Sequence, residues 1–304
     1  MIEPQITRPS RLSWSSVSTY SECGQKWLLT RGFKLPQATW FATEGGKVVH
    51  EITEAADRAG VKGVPWGDQL KGTPSFAHKF DARLQELAES GIEVKPSGRK
   101  LTKLGWTGGP NKKDREWWLH HWPLMIDQWM NFKKAQAEKG WRIATMPDGQ
   151  PGIEIGFDVI VKDVRLVGYI DRVYLLPDGS VLVVDLKSGS LSPDLQLLTY
   201  AVGLEAEYGL SADWAAFWKP LPDSEVGELT SPVDVSQRPL QRLEKMYEQA
   251  SRGINAGVFL PSVSSMCTSC TVRSHCWAVN GEESSEIPSE FEILNPATGE
   301  LQVV

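Results

Sequence analysis

The sequence predicts an α/β protein: a central mixed β-sheet flanked by helices, with a helical N-terminal part. Segments of helical period fill most of the first 139 residues. Strict alternation then takes over, with Ile153, Ile155, Phe157, Val159 and Val161 on one face of a strand. After it come two further strands, a helix, a strand and a helix, the order expected of a sheet with helices packed on its faces.

In chain order, residues 13–31 open with serines suited to capping, and Val17, Tyr20 and Trp27 fall near helical spacing. Residues 43–60 give a second helix with Val49, Ile52 and Ala56 as its apolar stripe, and 78–90 a shorter one. Residues 114–139 give a long helix in which Trp118, Trp122, Met125 and Trp129 recur at helical spacing, a stripe that reads as core packing. Pro123 is expected to kink it. Strands follow at 153–161, 164–176 and 181–187, the last two joined by the turn Pro177-Asp178-Gly179. A helix at 193–209, a strand at 214–218 and a helix at 235–253 complete the body. Residues 1–280 read as one domain with a helical insertion at about 61–150, and 281–304 as a polar linker ending in a small hairpin.

The chain has 304 residues, ample for a buried core. With 41% hydrophobic and 23% charged residues it has an ordinary globular composition. No apolar run approaches the roughly 18 residues a bilayer span needs. The polar N-terminus, with Pro4 and Pro9, does not resemble a secretion signal, so a cytoplasmic location without membrane partners is expected. The net charge of −6 argues against indiscriminate binding of polyanions, but 95–115 is locally basic and rich in glycine and reads as a flexible loop. No G-x-x-x-x-G-K-[ST] run occurs, so the chain carries no P-loop.

The four cysteines are Cys23, Cys267, Cys270 and Cys276, three of them within ten residues. A disulfide framework does not suit a cytoplasmic chain of this size, so the spacing points to a metal site.

The hairpin at 164–187 carries the chemistry. A three-residue loop at 177–179 pairs 176 with 180. Counting back along both strands places Asp171 opposite Asp185, with Cβ atoms about 5 Å apart. Lys187 lies two residues on and shares a face with Asp185. Two facing carboxylates repel unless a cation sits between them, and oxygen ligands favour Mg2+ or Mn2+. An adjacent lysine supplies positive charge for an attacking water or a phosphate. An ordinary surface hairpin with an Asp–Lys pair would look the same from these residues alone.

Gly168-Tyr169-Ile170-Asp171, followed by Asp185-Leu186-Lys187-Ser188-Gly189, resembles the motif core of the PD-(D/E)XK nucleases, and most closely their RecB-like branch. Gln196 and Tyr200 resemble the Q-x-x-x-Y motif that follows this core, and Gly46 to His50 the upstream G-x-x-x-H motif. The cysteine pattern resembles the iron–sulfur nucleases of the AddB type and the CRISPR-associated RecB-family exonucleases, which commonly have proline where this chain has Gly24.

The resemblance implies a restriction-endonuclease-like core and hydrolysis of DNA phosphodiesters. His50, Asp171, Asp185 and the Leu186 carbonyl would hold the metal, Lys187 would act on the water and the transition state, and Gln196 and Tyr200 would support the site. Glu154 is a further candidate. The resemblance also implies a [4Fe–4S] cluster on Cys23, Cys267, Cys270 and Cys276; a zinc ion on Cys267, Cys270, His275 and Cys276 is the alternative. Lys100, Lys103, Lys112 and Lys113 become candidate DNA contacts, and Trp106 or Trp117 candidate stacking platforms. The activity implied is that of an exonuclease in recombination, repair or phage DNA metabolism, with any recombinase, annealing protein or helicase as a separate chain. The other reading is a partner-dependent iron–sulfur subunit that binds DNA ends in a recombination or CRISPR adaptation complex.

Overall fold

The computed structural model describes residues 2–96, 100–102, 105–107, 114–187, 194–221, 223–236 and 240–304, with the side chains of 100–102 and 105–107 outside the description. Its helices are α1 (Trp14–Glu22), α2 (Gly24–Trp27), α3 (Phe41–Val61), α4 (Phe76–Glu89), α5 (Arg115–Glu138), α6 (Asp194–Tyr208) and α7 (Gln241–Asn255). The strands of the first half are β1 (Gln5–Thr7), β2 (Thr39–Trp40), β3 (Val94–Lys95), β4 (Lys100–Thr102), β5 (Gly105–Thr107) and β6 (Arg142–Ile143). Those of the second half are β7 (Ile153–Val161), β8 (Val164–Leu175), β9 (Val181–Leu186), β10 (Trp214–Lys219), β11 (Glu228–Leu229), β12 (Val233–Asp234), β13 (Glu292–Leu294) and β14 (Leu301–Val303). Two compact units result: 1–37 with 157–168 and 239–304, and 38–156 with 169–238.

The second unit is built on a mixed sheet. β8 pairs antiparallel with β9, and β9 parallel with β10. β6 and β7 add to β8, and β11 and β12 to β10. Every residue of β9 is buried, as expected of a central strand covered on both faces. In the β8–β9 ladder Arg172 pairs with Val184 and Leu175 with Val181, and Leu176 N–H closes the turn on Ser180 O at 2.9 Å. Carried one step further, that register sets Asp171 across from Asp185.

On one side, Trp129 and Phe132 of α5 pack on Tyr174, Leu182, Val184 and Trp218 of the sheet. A second core joins α3, α4 and α5 through Val48, Val49, Ile52, Phe76, Phe80 and Trp118. The aromatic stripe of α5 is therefore core: Trp118 and Trp129 are buried, and Trp122 stacks on Phe76 at 4.9 Å between ring centres. Gly45 lets α3 and α5 approach, because a Cβ there would enter the Trp118 ring.

The first unit holds α1, α2, α7 and the C-terminal segment. Trp27 stacks on Phe259 at 5.5 Å, and the Tyr20 hydroxyl donates to Val258 O at 2.6 Å. β13 and β14 form an antiparallel hairpin, and β1 joins β13 in parallel.

The helix expected over 13–31 is interrupted. Cys23 adopts an extended conformation (φ −165°) that ends α1 and caps α2, and a π turn follows over Leu28–Gly32. The final helix starts at Gln241 instead of 235, because Val233–Asp234 pairs with β10. Within the basic stretch β4 and β5 pair antiparallel where a loop was expected, whereas Lys103, Lys112 and Lys113 lie outside the described residues. The ends of that stretch are ion-paired: Lys95 with Glu93 at 3.1 Å, and Arg115 with Asp81 through two 2.8 Å hydrogen bonds. Among the described residues no helix is long and apolar enough to cross a membrane.

Candidate active site

α3, β7, β8, β9 and α6 deliver side chains, all from residues of the second unit, to one cleft of about 510 Å3 lined by His50, Glu154, Asp171, Asp185, Lys187 and Tyr200, among others. His50 lies at the edge of the buried face of α3, next to Gly46, Thr53 and Asp57 by helical period and about 100° around from Val49. Its Nδ1 lies 3.7 Å from Asp171 Oδ2 and 4.0 Å from Glu154 Oε1, while its Nε2 is 2.9 Å from Leu186 O. A proton on Nε2, donated to that carbonyl, leaves the Nδ1 lone pair facing the carboxylates. One ligand atom each from His50, Glu154 and Asp171 falls within 4.8 Å of the others, the spacing of groups that can share an ion.

Asp185 completes the far side. Lys187 Nζ is 2.7 Å from its Oδ2, a close ion pair at a buried carboxylate. Gln196 donates from Nε2 to Asp185 Oδ1 at 3.2 Å and to the Tyr200 hydroxyl at 2.7 Å, and its own Oε1 is buried without a partner. Ser188 and Gly189 of the motif lie outside the described residues. The Leu186 N–H donates to Asp171 Oδ2 at 2.6 Å. The Leu186 carbonyl, already engaged by His50, retains a second lone pair for an ion.

The electrostatics follow from burial and crowding. Asp185 is pushed up to about 7, first by burial and then by the charge of Asp171, against the pull of Lys187. Burial also raises Asp171, with Glu154 adding to it and His50 opposing. Burial disfavours a charged His50, but Asp171, Glu154 and Asp185 outweigh it and raise its pKa. Burial, with the nearby aspartates, pushes the Tyr200 hydroxyl up. Several close, buried carboxylates beside a histidine make a site that a divalent cation fits.

Sequence reasoning put Glu154 in second rank and missed what holds it. Glu154 sits at φ +47°, a left-handed conformation uncommon for a side-chain-bearing residue and frequent at functional sites. Arg172, fully buried, donates from Nη1 to Glu154 Oε1 at 2.9 Å and to Asp171 O at 2.6 Å. Its Nε donates to buried Asp57 at 2.5 Å, and Asp57 also takes Lys133 Nζ at 2.7 Å and Trp129 Nε1–H at 3.1 Å. Asp57 lies seven residues after His50 on α3, so one network orients both metal-facing elements. A charged residue following Asp171 in a buried strand was the available signal.

In the first unit, Cys23, Cys267, Cys270 and Cys276 all line one small cavity of about 30 Å3. Cys23 Sγ accepts from the N–H groups of Lys26 and Ser262 at 3.4 Å, and Cys267 Sγ from Ser264 N–H at 3.4 Å. Among the described residues no three of these sulfurs lie within 4.8 Å of one another. A tetrahedral zinc with Zn–S near 2.3 Å would hold them about 3.8 Å apart. His275 faces Ser274 and Glu283 instead of that cavity. Burial raises the Cys276 thiol. Gly24 is required by close approach, since a Cβ would meet the backbone of Phe259 and Leu260.

A profile of the PD-(D/E)XK nuclease superfamily matches residues 11–277. The chain belongs to that superfamily. PD-(D/E)XK enzymes hydrolyse phosphodiester bonds with divalent metals, which accords with the His50–Glu154–Asp171 group. The Gene 69 protein of Mycobacterium phage D29 is 26% identical over 279 residues, covering 90% of this chain and 98% of that protein. The Gene 69 protein of Mycobacterium phage L5 is 23% identical over 301 residues, covering 91% and 99%. Among solved structures, SSO0001 aligns with 66% of this chain and 80% of its own at a TM-score of 0.33 and 11% identity. VC1899 from Vibrio cholerae aligns with 81% and 58% at 0.21 and 12%.

Proposed function

We propose that this nuclease is a DNA exonuclease that uses Mg2+ or Mn2+ and carries a [4Fe–4S] cluster. The observation that carries the metal chemistry is the convergence of His50, Glu154 and Asp171 within 4.8 Å beside the Asp185–Lys187 pair. His50, Asp171, Asp185 and the Leu186 carbonyl would hold the ion, with Glu154 added to that set. Bound there, the ion would polarise the phosphate and lower the pKa of a coordinated water. Lys187 is drawn by Asp185 to the mouth of the same cleft, where its ammonium faces the position of an attacking water or of the transition-state charge. Gln196 ties Asp185 to Tyr200 and fixes the carboxylate's orientation.

Two features support the cluster. All four cysteines line one cavity, and backbone N–H groups donate to two of them. End-dependence and a role in DNA ends or single strands rest on the resemblance to standalone iron–sulfur nucleases. The phage origin of both relatives favours phage DNA metabolism, with any recombinase, annealing protein or helicase as a separate chain. Digestion of linear and circular single-stranded DNA by the purified protein, with and without Mn2+, tests the reading. Linear DNA is degraded to short products and circles survive. Equal rates on both would make the enzyme an endonuclease.

A further inference from the structure

The cleft is acidic. Glu51, Glu54, Glu154, Asp171 and Asp185 line it, and the cations among its described lining residues are Lys47, Arg83 and Lys187. Lys187, beside Asp185, serves the scissile position itself. A polyanionic strand entering this cleft must be neutralised by more than the catalytic ion, which leaves Lys47 and Arg83.

These two are held by a device the metal site does not use. Glu44, in the first turn of α3, is 1% exposed. It takes hydrogen bonds from Lys47 Nζ at 2.9 and 3.2 Å, from the Thr39 hydroxyl at 2.8 Å and from Arg83 Nε. Burial alone would raise its pKa, but the bonds from Arg83, Lys47 and Thr39 lower it, so the carboxylate is ionised and grips both cations. Lys47 precedes His50 by three residues, one helical turn along the same face of α3, and remains half exposed. Arg83 reaches in from α4. Its Nη1 is 3.8 Å from Glu51, and its Nη2 has no partner among the described residues.

We infer that Lys47 and Arg83 form a phosphate subsite that receives the nucleic-acid phosphate next to the scissile one, one turn of α3 from His50. The spent Nε of Arg83 fixes the guanidinium and leaves N–H groups for a phosphate, the geometry in which arginine recognises such groups. Lys47 supplies a mobile point charge that can leave Glu44, because Arg83 and Thr39 still satisfy that carboxylate. The phosphate is an internal phosphodiester or a terminal monophosphate; both present anionic non-bridging oxygens. The inference rests on the nuclease reading for the identity of the strand.

The test measures oligothymidylate binding by fluorescence anisotropy in the Asp185→Asn background with Mg2+, across a salt series. Oligonucleotides bear a 5′-phosphate, a 3′-phosphate or neither. Lys47→Gln is expected to weaken binding about tenfold, the worth of one charge-assisted hydrogen bond. It should also lower the slope of log K against log[salt] by about 0.7. Lys47→Arg restores both, and Lys71→Gln, an exposed control, changes neither. A loss on all three oligonucleotides assigns the subsite to an internal phosphate; a loss confined to one end assigns it to that terminal phosphate. In the active enzyme Lys47→Gln raises KM and leaves kcat within about twofold, a split that loss of structure would not give. Because Arg83→Gln leaves Glu44 buried beside fewer cations, the double variant Glu44→Gln/Arg83→Gln is its partner arm, with the same expected fall in slope. Unchanged affinity and slope in folded Lys47→Gln overturn the inference. Wild-type protein that binds DNA through Lys47 yet never cuts it would instead overturn the nuclease reading alone.

Discussion

Asp185 is 2% exposed and faces another carboxylate, so its charge opposes folding until a cation arrives. Its pKa of about 7 in the fold exceeds the ordinary aspartate value near 3.9. For an acid raised in this way the folded state binds the extra proton between those values, so the group's contribution to stability is full below about pH 4 and lost as pH rises to about 7. The gap of about three units corresponds to at most about 4 kcal/mol at pH 8. Asp185→Asn removes the charge and keeps an acceptor for Gln196, at the cost of the Lys187 ion pair, so a net gain of about 1–3 kcal/mol is expected without metal. That is a rise in Tm of several degrees. Thermal unfolding in EDTA at pH 5 and pH 8 reads it: the variant and wild type lie close at pH 5, and the variant is the more stable at pH 8. Mn2+ raises the wild-type Tm and closes the gap. A variant less stable than wild type at pH 8 in EDTA would instead make Asp185 a structural ion-pair partner.

Arg172→Met leaves Asp57 buried with fewer cations and should destabilise the fold by about 3–5 kcal/mol, read by denaturant unfolding; Arg172→Met/Asp57→Leu should recover much of that loss. Protein purified without oxygen should be brown, with iron and acid-labile sulfide near four per chain, whereas colourless protein with one zinc would favour the zinc alternative. Gly24→Ala should lower Tm and cluster content together, because the added methyl meets the Phe259–Leu260 backbone. Neutralising Lys100, Lys103, Lys112 and Lys113 together should weaken DNA binding and flatten its salt dependence; an unchanged slope would remove that segment from the DNA path.

What was legible in the sequence was local. The register of β8 and β9 follows from a short turn, so Asp171 opposite Asp185 could be counted from the chain. His50 was readable through its motif and Trp118 and Trp129 through their period. Arg172 and Asp57 were not, because their pairing joins residues 115 apart through tertiary packing. Glu154, a further candidate from the sequence, lies on the outward alternation of β7, and its left-handed backbone and the Arg172 bond are what set it apart from its polar neighbours. Lys47 and Arg83 read as ordinary helix charges until Glu44 is seen buried between them. The break at Cys23 was hidden because flanking residues keep helical spacing, and the close passage of 259–260 has no local signature.

The proposed function assigns metal-dependent DNA hydrolysis to the Asp171–Asp185–Lys187 face with His50 and Glu154. End-labelled single-stranded DNA incubated in Mn2+ with wild-type protein, Asp185→Ala and Lys187→Ala, each shown folded by circular dichroism, tests it most directly. Wild type is expected to degrade the DNA in a reaction that EDTA abolishes, with at least a hundredfold loss in each variant, the scale of a removed transition-state contact. Cleavage by Asp185→Ala at the wild-type rate would contradict it.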